Sequence, residues 1–448
     1  MEPRLAEPTT AGSHSLRHRV GGGGSSTTTQ SFSFWGRFDQ AKLYRALSHA
    51  VLPVMTAVSA RRLRVLVMPE QFPRRPDDLA GIFSLDYIAA IKPHCDVTVL
   101  MPGQNRRRGL ERSRREGDGV EYITWTPSLR GGGDVRQRFG RLESLYHLGR
   151  LEQLVPPVDL IHAHGPVFHG AAAHTLGRKL GVPVVVTVHT GPFSKVRRRV
   201  SVRWLTRRTL EGVDCVCPVS HDLRRQIEEA GIRPKRVDVT YNPVDTELFR
   251  PPVSGARHRG RIVFAGRLEE YKGGLRTVRA FGEIADRWPG WTLAIAGDGS
   301  ERPAIEQFLR GRPALSAQVQ LLGSYTRPQL ADLFAASDCF VYPSRHETFG
   351  LVLAEAMSAG LPVIGPNCTA PPEFVDDGCG LLVPPDDVPA IAAAIEQLLT
   401  KLPWYRRDDI RNRIVERFGF AAFGRHLLAL YDDLYQRSRA SVCAASRV

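Results

Sequence analysis

The sequence lacks the features that would put it across a membrane or outside the cell. It has no apolar run of about 18 residues, so no transmembrane span is expected. Arg4, Arg17 and Arg19 stand in polar sequence with no apolar core or cleavage site behind them, so no secretory leader is expected and the protein is read as cytoplasmic. Cysteine is scarce. Cys95, Cys215, Cys217, Cys339, Cys368, Cys379 and Cys443 are scattered, and none stand in the two-residue-spaced pairs of a zinc site. An odd number does not complete a disulfide framework, so reduced thiols are the simplest account. Cys215 and Cys217 alternate along an apolar stretch that reads as a strand, both facing one side into a core.

Hydrophobic content of 42% and charged content of 24% suit a globular protein, and 448 residues suffice for two domains with separate cores. Lys and Arg number 61 against 46 Asp and Glu, a net charge of +15. Such an excess can attract nucleic acid, an anionic membrane surface or an anionic substrate. Much of it lies in Arg106, Arg107, Arg108, Arg112, Arg114 and Arg115, and in Arg197, Arg198, Arg199, Arg203, Arg207 and Arg208. Neither cluster is interleaved with aromatics, and no zinc-finger, RNA-recognition or helix-turn-helix signature occurs, so no nucleic-acid partner is expected. Two readings stay open: solvated surface, and peripheral contact with an anionic inner-membrane face or lipid phosphate.

Residues 1–60 read as an extension, made largely flexible by Gly21-Gly22-Gly23-Gly24-Ser25-Ser26. Leu43, Leu47, Val51 and Leu52 have roughly helical spacing before Pro53. From Arg64 onward, short apolar strands alternate with helical stretches: 65–68, 97–100, 160–163 and 184–188. The pattern restarts after Pro251-Pro252 with strands at 262–265, 291–296, 319–322, 339–342 and 361–364. Strands of this kind are buried on both faces, which predicts parallel sheets with helices on either side. The expected architecture is α/β: two Rossmann-like, doubly wound domains, over 61–255 and 256–448. The run Arg106–Arg115 falls between strands and is expected to be a loop.

In such sheets ligands sit beyond the carboxyl ends of the strands. One strand ends in Gly266-Arg267-Leu268, and Lys272-Gly273-Gly274 leads into the next helix. Glycine lets backbone approach a ligand, Arg supplies a planar fork and Lys a point charge, a combination suited to a diphosphate. A second strand leads to His346-Glu347-Thr348-Phe349-Gly350-Leu351, with Glu355 one turn into an apolar helix. Two carboxylates flanking helix-opening amides suit a sugar-phosphate-ribose ligand. A helix cap and a solvated side chain are the plainer alternatives, although a carboxylate between Leu353, Ala354, Ala356 and Met357 needs a reason.

These motifs, together with Gly297-Asp298-Gly299, Asp338-Cys339-Phe340-Val341-Tyr342-Pro343-Ser344, Pro372-Glu373-Phe374-Val375 and Asp245-Thr246-Glu247-Leu248-Phe249-Arg250-Pro251, resemble the signature of retaining GT-B glycosyltransferases of family 4. The resemblance spans roughly residues 63–435. It implies a UDP- or GDP-sugar donor, an acceptor that is a sugar, a lipid-linked group or a small molecule, retention of configuration, and no metal or other cofactor. No Asp-x-Asp motif is placed to hold a metal–diphosphate, which agrees. By the same resemblance, Arg267 and Lys272 grip the diphosphate, and Glu355 holds the ribose. Glu347 and the Phe349-Gly350-Leu351 amides hold the sugar, beside Gly266 and Thr348. In the N-terminal domain, His189 meets the donor sugar and Gly81 faces the diphosphate, while the terminal helices pack back toward that domain. His162 and His164 end another strand and read equally well as structural.

Three departures from the family pattern bear on the cleft or the domain junction. Gly81 follows Ala80 where a double glycine is common, and Asn242-Pro243-Val244-Asp245 replaces the usual turn. Thr369-Ala370-Pro371 stands where Gly-Gly precedes the Pro-Glu motif. A sugar-nucleotide epimerase or a phosphorylase would share the architecture, and a non-catalytic basic membrane- or nucleic-acid-binding module would explain the charge but not the motif set.

Overall fold

The computed structural model describes residues 61–73, 81–102, 109–114, 119–126, 152, 155–193, 200–252 and 260–445. The extension over 1–60, Arg106–Arg108, Arg115, Arg197–Arg199 and most of the interdomain linker lie outside these.

The first half carries strands β1 (Leu63–Met68), β2 (Cys95–Pro102), β3 (Gly109–Arg114), β4 (Glu121–Thr126), β5 (Leu160–His164), β6 (Val184–Val188) and β7 (Cys215–Pro218). Its helices are α1 (Ile82–Ile91), α2 (Phe168–Leu180), α3 (Val200–Gly212) and α4 (His221–Glu229). The strands form one sheet in the order β3-β4-β2-β1-β5-β6-β7. All pairs are parallel except β3 with β4. That exception corrects the loop expected over Arg106–Arg115. Residues 109–114 are an edge strand, with Arg112 opposite Ile123 and Arg114 opposite Glu121. An edge strand pairs on one side only and tolerates charge, so it carries none of the apolar pattern by which inner strands are recognised.

The second half holds β8 (Arg261–Ala265), β9 (Thr292–Ala296), β10 (Val319–Gly323), β11 (Cys339–Val341), β12 (Val363–Pro366) and β13 (Gly380–Val383). They are all parallel, in the order β10-β9-β8-β11-β12-β13. Around them run α5 (Gly274–Ile284), α6 (Arg302–Arg310), α7 (Pro313–Gln318), α8 (Arg327–Ala335), α9 (Leu351–Ser358), α10 (Val388–Lys401) and α11 (Arg407–Phe418). Two doubly wound sheets are thus present. Their strand orders reverse between β1 and β5 and between β8 and β11, the switch points where a crevice opens beyond the strand ends.

The chain then returns. Helix α12 (Phe420–Ala445) buries Phe423, Leu427, Leu430, Tyr431 and Leu434 among Leu63, Val65, Tyr87, Ile91, Val97, Cys215 and Cys217 of the first half. Contact with α1 is close enough that a Cβ at Gly424 would lie 2.4 Å from the Ala90 carbonyl oxygen. All seven cysteines are free. No helix among the described residues is long and apolar enough to cross a membrane.

Candidate functional site

The loops beyond β8 and β11 meet at the second switch point. After β8 the chain passes Gly266 and the exposed Arg267, makes a short turn over Glu270–Lys272, and enters α5 through Gly273 at φ +87°. A Cβ on Gly273 would stand 2.7 Å from the Pro343 carbonyl oxygen, so only glycine lets this turn lie against the loop after β11. The approach brings Lys272 Nζ to 2.7 Å from Glu347 Oε1, with 16% and 11% of the two side chains exposed. The ammonium also lies over the Tyr271 and Tyr342 rings, at 5.1 and 5.4 Å from their centroids. Burial, then Glu347, push the Tyr342 phenol well above its ordinary pKa, so it stays protonated. Arg267 Nη2 donates to the Tyr271 hydroxyl at 2.5 Å, on the solvent side of the same turn.

Glu347 is held from behind. Its backbone N–H donates to Thr369 Oγ1 at 3.1 Å, and Thr369 has φ +59°, the left-handed region that favours glycine. The departure from Gly-Gly therefore keeps the glycine-type backbone and adds a hydroxyl that anchors the Glu347 loop. Beyond it Phe349 is buried against Tyr241, Phe374 and Phe418, so it offers the site its backbone alone. Gly350, at φ +93°, caps α9 without a side-chain hydrogen bond, and the half-buried Leu351 begins the helix. Thr348 faces the other half: a Cβ built on Gly191 would lie 2.6 Å from its methyl group.

In the first half, His189 follows the end of β6, and its Nε2 is 2.8 Å from His164 Nδ1, the rings stacked at 8°. Burial pushes both rings well below the ordinary histidine pKa, with His162 acting next on His164 and His164 next on His189, so both are neutral near pH 7. Phe83 and Tyr87 of α1 pack against His189. His162 is structural: Tyr431 OH at 2.5 Å and Thr187 Oγ1 at 2.6 Å satisfy both nitrogens, and burial lowers its pKa to about 3. Gly81 caps α1 at φ +82°, where a Cβ would come within 2.5 Å of Gln71 backbone.

Glu355 is largely enclosed. It is 6% exposed and accepts from Arg327 Nη2 at 2.9 Å, while Arg327 Nη1 donates to Asp86 Oδ1 of α1, also at 2.9 Å. Glu373 makes a second link between the halves, its two carboxylate oxygens accepting the His221 and Asp222 amides at 2.9 and 2.8 Å and so capping α4. Sequence reasoning missed Arg327 and Asp86. Asp86 carried a signal, since it is a carboxylate in an apolar helix like Glu355; Arg327, following a helix-capping Thr326, reads as a solvated first-turn residue.

The expected residues thus fall into three groups: Lys272, Glu347, Thr348, Gly350 and Leu351 at the second switch point, with Gly266 and Arg267 at its rim; His189 with Gly81 in the first half; and Glu355 in a buried ion triad. Two family models match this chain: Glycosyltransferase Family 4 over residues 88–248, and Glycosyl transferases group 1 over 259–401. The chain is a GT-B glycosyltransferase of the family 4 type. This transferase is 26% identical over 305 residues to alpha-D-kanosaminyltransferase of Streptomyces kanamyceticus, covering 61% of this chain and 77% of that one. It is 25% identical over 406 residues to alpha-maltose-1-phosphate synthase of Mycolicibacterium smegmatis, covering 82% and 99%. Among solved structures the transferase matches sucrose-phosphate synthase of Thermosynechococcus elongatus with a TM-score of 0.65 and 20% identity, over 84% of this chain and 100% of that one. Anabaena HepE in complex with UDP gives 0.66 and 18%, over 83% and 100%. These two likenesses show the fold.

Proposed function

We propose that the transferase moves a sugar from a UDP- or GDP-sugar to an acceptor hydroxyl, with retention of anomeric configuration and without a metal ion. The observation that carries this reading is the Lys272–Glu347 pair, 2.7 Å apart beside the N-terminus of α9 at a sheet switch point. A departing diphosphate needs preorganised positive charge. Lys272, Arg267 and the amides at the start of α9 supply it, with Gly81 and Gly266 letting backbone approach. Glu347 holds the ammonium and keeps lone pairs for sugar hydroxyls. His189, neutral, hydrogen-bonds the sugar, and Glu355 takes the ribose. The domains are assigned accordingly: the first half receives the acceptor, and the second holds the donor.

The acceptor oxygen forms its bond to the anomeric carbon on the face from which the phosphate oxygen departs, and the acceptor proton passes to that phosphate oxygen. HepE, solved with UDP and with UDP-glucose, supports a nucleoside-diphosphate-sugar donor. The relatives' names differ in what is transferred, so the acceptor class stays broad: a sugar, a lipid-linked group or a small molecule. Exposed Val200 and Trp204 beside Arg203, Arg207 and Arg208 on α3 support peripheral contact with an anionic membrane face.

The test is a screen of UDP- and GDP-sugars for donor hydrolysis and transfer, with and without chelator, and NMR of the product anomer. One donor should be turned over, chelator should leave the rate intact, and an α-linked donor should give an α product. Inversion, or full loss on chelation restored by Mg²⁺, would overturn the mechanism. A donor epimer formed without acceptor, or turnover requiring inorganic phosphate, would favour the epimerase or phosphorylase.

A further inference from the structure

Asp86 and Arg327 lie 241 positions apart in sequence and on different halves, yet they share a buried ion triad with Glu355. Thr326 caps α8 in a reciprocal pair with Gln329, which fixes Arg327 as the first helical residue. Its guanidinium lies 5.3 Å from the centre of the Phe249 ring and gives one arm to each carboxylate. The three side chains are 6%, 11% and 7% exposed in the order Asp86, Arg327, Glu355. Arginine suits the position because one planar group serves two acceptors in fixed directions; lysine offers a single point charge.

Two carboxylates share one cation, and Asp245 adds further negative potential from the segment joining the halves. Burial outweighs Arg327, pushing Glu355 up to about 7 and Asp86 up to about 6. Asp86 Oδ2 and Arg327 Nε have no hydrogen-bond partner among the described residues. A buried cluster with a spare acceptor and a spare donor is incomplete as a purely structural device, because enclosed polar atoms without partners are costly.

We propose that Asp86 and Arg327 are positioning residues for Glu355, Asp86 holding Arg327 from the first half while Arg327 fixes the direction and charge of the Glu355 carboxylate that receives the donor ribose. The inference rests on the reading of Glu355 as the ribose ligand. It makes nucleotide affinity depend on a buried carboxylate of the first half.

The experiment is calorimetric titration of UDP and GDP into the full chain from pH 5.5 to 9.5, for wild type, E355Q, R327Q, R327K and D86N. Wild-type affinity should weaken as pH falls through the protonation of Glu355. R327Q should move that midpoint upward by about one pH unit or more, the scale of losing an adjacent opposite charge. D86N removes a like charge and should move it downward. R327K should return the midpoint toward wild type without restoring full affinity. A uniform loss of affinity at every pH, with the midpoint unmoved in R327Q and D86N, would mean a merely structural role and overturn the proposal. If R327Q does not fold, the near-isosteric D86N decides by the direction of its shift. Wild-type affinity and pH dependence in E355Q would sink the ribose reading itself, whereas a weakened, pH-flat E355Q beside unmoved R327Q and D86N sinks this inference alone.

Discussion

Lys272 and Glu347 illustrate how a contact across 75 positions becomes a single chemical unit. An exposed ion pair is worth at most about 1 kcal/mol, but this one is mostly enclosed, and removing one member leaves the other charge without compensation. Lys272→Ala and Glu347→Gln should therefore unfold cooperatively, yet lose about 10²-fold or more in kcat, the scale of losing a preorganised charged contact. Steady-state kinetics on the donor found by screening, beside thermal unfolding, would check this, and near-normal turnover in either variant would remove the pair from the site. Sequence shows both residues because the family motifs surround them. It also shows that Glu355 is anomalous, since an ionisable group in an apolar helix needs a partner. It does not show which partner: Arg327 comes from another helix and Asp86 from helix α1 of the first half, and only the folded chain aligns them.

At the scale of elements, inner strands were legible because burial on both faces makes them continuous apolar runs, as in Val184–Val188. Edge strand β3 was not, for it needs no apolar face. Helix α11 was missed for a related reason: only Ile410, Ile414 and Phe418 are buried in an otherwise polar segment, Arg407–Phe418, too sparse a stripe to stand out. Helix α3 is the opposite case, with apolar groups where water should be. Val200 and Trp204 are 85% and 60% exposed, and the Arg208 guanidinium lies 5.4 Å from the Trp204 ring centre. Arg207 is paired with Glu211 at 3.0 Å, which leaves Arg203 and Arg208 as the helix's stronger candidates for headgroup contact. Each nearby Arg contributes on the order of 1 kcal/mol at an anionic surface, screened by salt. Sedimentation with anionic vesicles should exceed that with neutral ones at low salt, and Arg203→Ser/Trp204→Ser/Arg208→Ser should abolish the difference. Equal binding to both vesicle types would assign α3 to ordinary solvated surface.

For the molecule as a whole, the feature with the widest reach is α12, which packs onto the first half after the second sheet is complete. Leu427 is fully buried there, and Leu427→Ala should cost about 2–5 kcal/mol, measured by chemical denaturation. The loss should register in probes placed in the first half although the substitution lies beyond the second; a first half indifferent to it would contradict the shared core. The return of α12 also sets an order of events at the ribosome. The first sheet is synthesised early, but the apolar face formed by Leu63, Val65, Tyr87, Ile91 and Val97 has no cover until the whole second sheet and α11 have emerged. A nascent chain thus carries an open hydrophobic face through most of its synthesis, the condition under which newly made proteins stick to one another or are held by chaperones. The second half has all its strands and helices, β8 to β13 with α5 to α11, before α12 emerges, and is free to fold first.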